Sequence, residues 1–149
     1  MSNRYKILRD RQQREVNAFP FFFAFSEKQF TEGMKSFGLS AGEESKLYSL
    51  GGTGGFYRRT DHDRLHEMFD RHAEEHQTAV DGDTTGEGYI YEMFSYELAN
   101  HEYTYTNDIS STLDALGLTA EDINADKRFQ RGLAKAISAL WQTKGGDNI

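Results

Sequence analysis

The sequence predicts an α+β fold that is mostly helical, with a small antiparallel sheet of two or three strands in its first half. Leu outnumbers Val and Ile combined, and the 149 residues include a single proline, a composition that favours helices. Segments with the apolar spacing of a helix occupy most of the chain after residue 61. The short runs FFFAF, KLYSL and FYRR have the length and composition of strands.

Local signals place the elements of the first half. Pro20 ends the first helix, and Ser26 with Gln29 forms a capping box that begins the second, which Gly38 closes. The segment GGTGG has no lysine of a phosphate-binding loop, so we expect a hairpin turn there. The expected elements are helices at 3–18 and 27–37 and strands at 21–25, 46–50 and 56–59.

The second half is expected to be helical. Asp61 or Asp63 can cap its first helix, Thr119 with Asp122 forms a capping pair, and Asp126 caps the last helix. The expected helices run from 61 or 63 to 80, over 89–102 and 110–116, briefly after 119, and from 126 to 142, with a loop at 81–88. We predict one domain over residues 1–149, in which 143–149 form a frayed tail.

Composition excludes several classes of function. The absence of cysteine rules out a disulfide framework, a zinc ribbon and a thiol nucleophile. No apolar run approaches 18 residues, and the first residues lack the apolar core of a secretory signal, so we expect no association with a membrane and a cytoplasmic location. A formal net charge of −7 disfavours direct binding to nucleic acid.

Histidines and one glutamate lie on the inner faces of two predicted helices. Helical phase places His72 and His76, four residues apart, on the apolar arc of the first helix. Glu97 lies in the apolar arc of the next helix, with His101 one turn later. A buried carboxylate must be paired, ligated or protonated. The four side chains predict either a divalent metal site or a buried polar network of Glu, His and Tyr hydroxyls.

An acidic stripe lies on the outer face of the first of these helices. It consists of Asp63, Glu67, Asp70 and Glu74 and extends roughly 16 Å. Its charges are spaced not far from the phosphates of a nucleic-acid strand, so it could occupy a basic groove on a nuclease or a DNA-binding partner. The alternative is an ordinary solvated helix face.

Four segments resemble a family of small cytosolic proteins of unknown activity, met in Firmicutes and in their phages and conjugative elements. These segments are FFFAFSEKQFTEGM, YSLGGTGGF, TGEGYIYEMFSYELANHEYTYT and TLDALGLTAEDI. The resemblance extends from about Tyr5 to Ala139. It implies an accessory gene of a mobile element that acts inside the bacterial cell, and it supplies no catalytic residue.

Two functions follow as hypotheses. The first is a non-enzymatic accessory protein that binds a protein partner, in its sharpest form an acidic inhibitor of a host defence nuclease. The second is a metal-binding protein or metal-dependent hydrolase, for which a divalent metal would be the cofactor. The oligomeric state and the identity of the partner stay open.

Overall fold

The computed structural model describes residues 2–146, with side chains described through residue 142. It is 68% helical and has a small three-stranded antiparallel sheet in the first half, which confirms the predicted fold class. The helices are α1 (Arg4–Ala18), α2 (Glu27–Ser36), α3 (His62–Asp81), α4 (Tyr89–Asn100), α5 (Tyr103–Thr106), α6 (Ser110–Leu116), α7 (Ala120–Ala125) and α8 (Lys127–Gly146). The strands are β1 (Phe22–Phe23), β2 (Leu47–Ser49) and β3 (Gly55–Arg58).

The chain divides into two compact units. The helical unit contains the residues up to Arg11 together with those from Glu74 onward, and the sheet unit is Gln12–Ala73. The expectation of a single domain stays a prediction.

The sheet of the second unit has the strand order β1-β3-β2, with both pairs antiparallel. Phe22 pairs with Phe56 across the β1–β3 register, so both side chains lie on the face that α2 covers. Gly33 of α2 allows this close packing, because a Cβ atom there would lie 2.0 Å from the Phe22 ring. The opposite face carries Tyr57, which is buried against Leu65 and Met68 of α3.

The GGTGG segment connects β2 to β3, as the hairpin prediction requires. Gly52 and Gly54 have φ values of +57° and +79°, in the left-handed region where glycine has no steric penalty. Two predicted helix caps are also present. The Ser26 hydroxyl accepts a hydrogen bond from the Gln29 amide, and Thr119 and Asp122 form a reciprocal capping box.

The helical unit is built around α4, which packs on α8. Ile90, Met93, Phe94 and Leu98 are almost completely buried. The loop before α4 is held by Asp83, whose carboxylate accepts hydrogen bonds from the amides of Gly86, Gly88 and Ile90. Gly132 allows the backbone of α8 to lie close to the loop before α4, since a Cβ atom there would lie 2.6 Å from the Gly86 carbonyl oxygen.

Two features differ from the expected elements. The short helix α5 has no counterpart in the sequence prediction, and α3 begins at His62 after a 3₁₀ turn over Arg59–Asp61. Helix α8 continues through Gly146, residues 147–149 lie outside the described part of the chain, and the frayed tail at 143–149 stays a prediction. Among the described helices, we find none with both the length and the apolarity needed to cross a bilayer.

Candidate functional site

Glu97 is the buried acid of the helical unit. Its side chain is 2% exposed, as the helical phase of α4 predicts. One carboxylate oxygen lies 3.7 Å from Nε2 of His101, and the other lies 3.9 Å from a guanidinium nitrogen of Arg9 in α1. The structure therefore brings together two of the four predicted metal ligands and adds a cation to them.

His76 is half-buried in the same unit. Its Nδ1 lies 2.7 Å from the Tyr89 hydroxyl, and the Tyr5 ring meets it edge-on with 5.9 Å between ring centroids. Burial lowers the pKa of His76, and the positive charge of Arg9 lowers it further. The imidazole is thus held in its neutral form to lower pH than an exposed histidine.

Two tyrosines and Arg9 join the buried glutamate and the two histidines in what we call the polar network. Its members are Tyr5, Arg9, His76, Tyr89, Glu97 and His101. Arg9 donates a hydrogen bond to the Tyr5 hydroxyl over 2.9 Å, and burial raises the pKa of both Tyr5 and Tyr89. These contacts have the form of the buried Glu, His and Tyr network that the sequence offers as the alternative to a metal site.

The sequence reasoning missed Arg9 and Tyr5. They lie on α1, far along the chain from Glu97, and no spacing rule links them to the histidines. The one available signal is that Tyr5 is one of a few apolar contact positions in a largely polar helix.

His72 belongs to the sheet unit, where it is buried. Its Nε2 lies 3.3 Å from Oε1 of Glu15 but has no partner with hydrogen-bond geometry in the described chain. Within the helical unit, the ligand atoms of His76, Glu97 and His101 do not all lie within 4.8 Å of one another in the described residues. A metal site of His72, His76, Glu97 and His101 stays a prediction.

The acidic stripe is exposed along α3. Three of its residues, Asp63, Glu67 and Asp70, lie in the sheet unit, and we call these three the acidic face. The fourth, Glu74, lies in the helical unit and is exposed as well. None of these carboxylates forms an ion pair or a side-chain hydrogen bond within the described chain.

The neighbouring arginines of α3 are held by other acids. Arg64 donates to Asp61 over 3.1 Å, and Arg71 donates to both oxygens of Glu15 over 3.0 and 2.6 Å. The Arg71 guanidinium lowers the pKa of Glu15 to about 2. Arg64 and Arg71 are therefore both paired with carboxylates outside the acidic face, and Arg64 shares Asp61 with Arg58.

A groove borders this face in the sheet unit, with a volume of about 410 Å³. Phe19 and Met68 supply apolar surface, and Glu67 lies at its border. Its lining residues are Glu15, Ala18, Phe19, Arg64, Glu67, Met68 and Arg71. The groove thus combines apolar contact area with an unpaired carboxylate.

Comparison with known proteins identifies a family. The model of DUF7659, a family of unknown function, matches residues 4–139. The chain belongs to DUF7659. No curated protein and no solved structure matches it. The matched range includes the residues of both the polar network and the acidic face.

Proposed function

We propose that this protein acts by binding a protein partner and that the acidic face docks against a basic surface of that partner. The observation that supports this most directly is the charge arrangement on α3. Asp63, Glu67 and Asp70 are exposed without ion-pair partners in the described chain, while Arg64 and Arg71 are paired with other acids. Unpaired charges of one sign steer a complementary surface into contact.

The groove beside Glu67 indicates the chemistry of the contact. A lysine or arginine of the partner can lay its aliphatic stem along Phe19 and Met68 while its charge reaches Glu67. A side chain bound in this way loses contact with water over its apolar part and meets a carboxylate at its end. We therefore propose a partner surface rich in lysine or arginine.

A nuclease is the sharper form of this proposal. Successive carboxylates of the acidic face are three or four residues apart on one helix, about 4.5–6 Å along its axis, which is the same order of length as the roughly 3.4 Å of axis per phosphate on one DNA strand. A groove that binds nucleic acid would accept such a helix. The resemblance to proteins of phages and conjugative elements supports an inhibitor of a host defence nuclease that works in the bacterial cytoplasm.

The experiment compares two charge-reversed proteins as baits in a bacterial lysate. E67K/D70K reverses two of the three charges of the acidic face. E32K/D114K makes the same change in net charge at exposed residues elsewhere. Asp63 is retained in both because it favours the N-terminal turn of α3. We expect wild type and E32K/D114K to capture the same basic protein at low salt and E67K/D70K to lose it. Equal capture by all three proteins would remove the support for docking through this face.

A metal-dependent function is the second candidate. The observation that favours it is the buried carboxylate of Glu97 beside His101, at 3.7 Å. Metal analysis of protein purified without an affinity tag tests it. A stoichiometric transition metal in wild type that is lost in Glu97→Gln would support the metal function, and a metal content that Glu97→Gln leaves unchanged would dismiss this ligand set.

A further inference from the structure

We propose that His62 and His66 form a binding site for a divalent transition metal, namely Cu²⁺, Ni²⁺ or Zn²⁺, on the first turns of α3. The site is separate from the polar network. It uses the two histidines that are not part of the metal site predicted from the sequence. Both residues lie in the sheet unit. Neutral imidazole is a preferred ligand for all three ions.

The two rings are close to the separation that chelation needs. His62 and His66 are four residues apart on α3, and their ring centroids are 4.3 Å apart with an interplanar angle of 56°. Two imidazoles that share one ion, each with a nitrogen about 2.0–2.1 Å from it, have centroids roughly 4.5–5 Å apart. Because His66 is exposed, we expect its ring to rotate into that geometry when an ion binds.

Tyr57 prepares His62 for this role. Its hydroxyl lies 2.8 Å from Nδ1 of His62, and the two rings are stacked with an interplanar angle of 8°. When Nδ1–H donates to the tyrosine oxygen, Nε2 carries no proton and its lone pair is free for a metal. A hydrogen bond at the other ring nitrogen is the usual device that orients a ligating histidine. Tyr57 would thus act as a positioning residue.

The charges around the pair tolerate a cation. Arg58 and Arg64 both lie within ion-pair distance of Asp61, whose carboxylate offsets one of the two charges. Arg59 stacks over the Tyr48 ring, with 4.4 Å between its guanidinium carbon and the ring centroid. The carboxylates of Asp63 and Glu67 follow the two histidines directly in sequence and are exposed. Since His66 is exposed, water can supply the remaining ligands of the ion.

The test is titration of untagged, metal-free protein with each of the three ions by calorimetry. We expect one ion per chain, with Cu²⁺ bound more tightly than Ni²⁺ or Zn²⁺. His66→Gln should weaken binding on the order of 100-fold, since it removes half of the protein ligands and leaves no chelate. Tyr57→Phe should weaken it about tenfold by releasing His62 from its orientation. Lys28→Gln, at an exposed position of α2 outside every proposed site, should bind like wild type.

Electron paramagnetic resonance of the Cu²⁺ complex gives a second readout. Wild type should show coupling to two imidazole nitrogens and His66→Gln to one. Because His66 is exposed, that variant should keep its fold even if Tyr57→Phe does not. The proposal is overturned if wild type binds none of the ions, if His66→Gln binds like wild type, or if His101→Gln, which removes a ligand of the other candidate metal site, abolishes binding.

Discussion

A guanidinium nitrogen of Arg9 on α1 lies 3.9 Å from a carboxylate oxygen of Glu97 on α4. Arg9 is about half exposed, whereas Glu97 is 2% exposed. One residue thus brings positive charge from the surface to an acid inside the helical unit. A buried acid without such partners would cost several kcal/mol, so the pair ties the position of α1 to that of α4.

Removal of the buried acid should destabilise the protein. Glu97→Ala leaves Arg9 and His101 without their carboxylate and should lower the free energy of unfolding by about 1–3 kcal/mol. The midpoint of urea denaturation measures the effect. Asp114→Ala, at an exposed position of α6, is the control and should stay within about ±0.5 kcal/mol. An unchanged midpoint for Glu97→Ala would show that the network adds nothing to stability.

The stability of the folded protein should decrease as pH falls, and His76 should be one cause. Its pKa in the folded protein is below the value of 6.5 for an exposed histidine, so the unfolded chain takes up the proton first as pH falls. The contribution of neutral His76 to the free energy of unfolding is therefore complete above about pH 6.5. It is lost as pH drops toward the lowered pKa. Denaturation midpoints at several pH values should decline less steeply for His76→Gln than for wild type. Parallel profiles would contradict this assignment.

Glu15 should titrate far below an ordinary glutamate. Nuclear magnetic resonance should give a midpoint of about 2 for its carboxyl, and Arg71→Ala should move that midpoint up toward 4.5. Because the pKa is lowered in the folded state, the contribution of Glu15 to stability is present above about pH 4.5 and is lost as pH falls to about 2. A midpoint that Arg71→Ala leaves in place would show that another group lowers it.

Gly132→Ala should destabilise the protein although alanine is the better helix former. Helix propensity alone predicts a gain of about 1 kcal/mol at this position of α8. The added Cβ atom would lie 2.6 Å from the Gly86 carbonyl oxygen, and such overpacking costs about 1–3 kcal/mol. Gly82→Ala is the control, since the nearest atom to its Cβ is at 3.4 Å. Thermal unfolding of both variants decides between propensity and packing, and a stabilised Gly132→Ala would contradict the close approach.

The acidic face should act mainly on the rate of association. Once a partner is identified, E67K/D70K should slow its association more than it speeds its dissociation, because exposed charges steer the encounter. Added salt should weaken wild-type binding, since such charges are screened over roughly 8–10 Å. Surface plasmon resonance measures both rates. If the association rate of wild type does not depend on salt, the acidic face does not steer binding and is an ordinary solvated helix face.

The sequence by itself determined the features that depend on neighbours a few residues away. Ser26 with Gln29 and Thr119 with Asp122 predict helix starts that the structure has, because a cap is a contact across three residues. The burial of Glu97 follows from helical periodicity for the same reason. The exposure of the acidic stripe also follows from the phase of α3.

Tertiary structure alone decided which side chains meet. Arg9 joins Glu97 from a helix that is distant in sequence, and nothing local to either residue predicts the pair. Arg71 lies within the acidic stripe in sequence, yet its guanidinium pairs with Glu15, and this contact depends on how α1 packs on α3. Periodicity shows which face of a helix turns inward. The identity of the side chain across from it depends on the packing of distant segments, which no local pattern encodes.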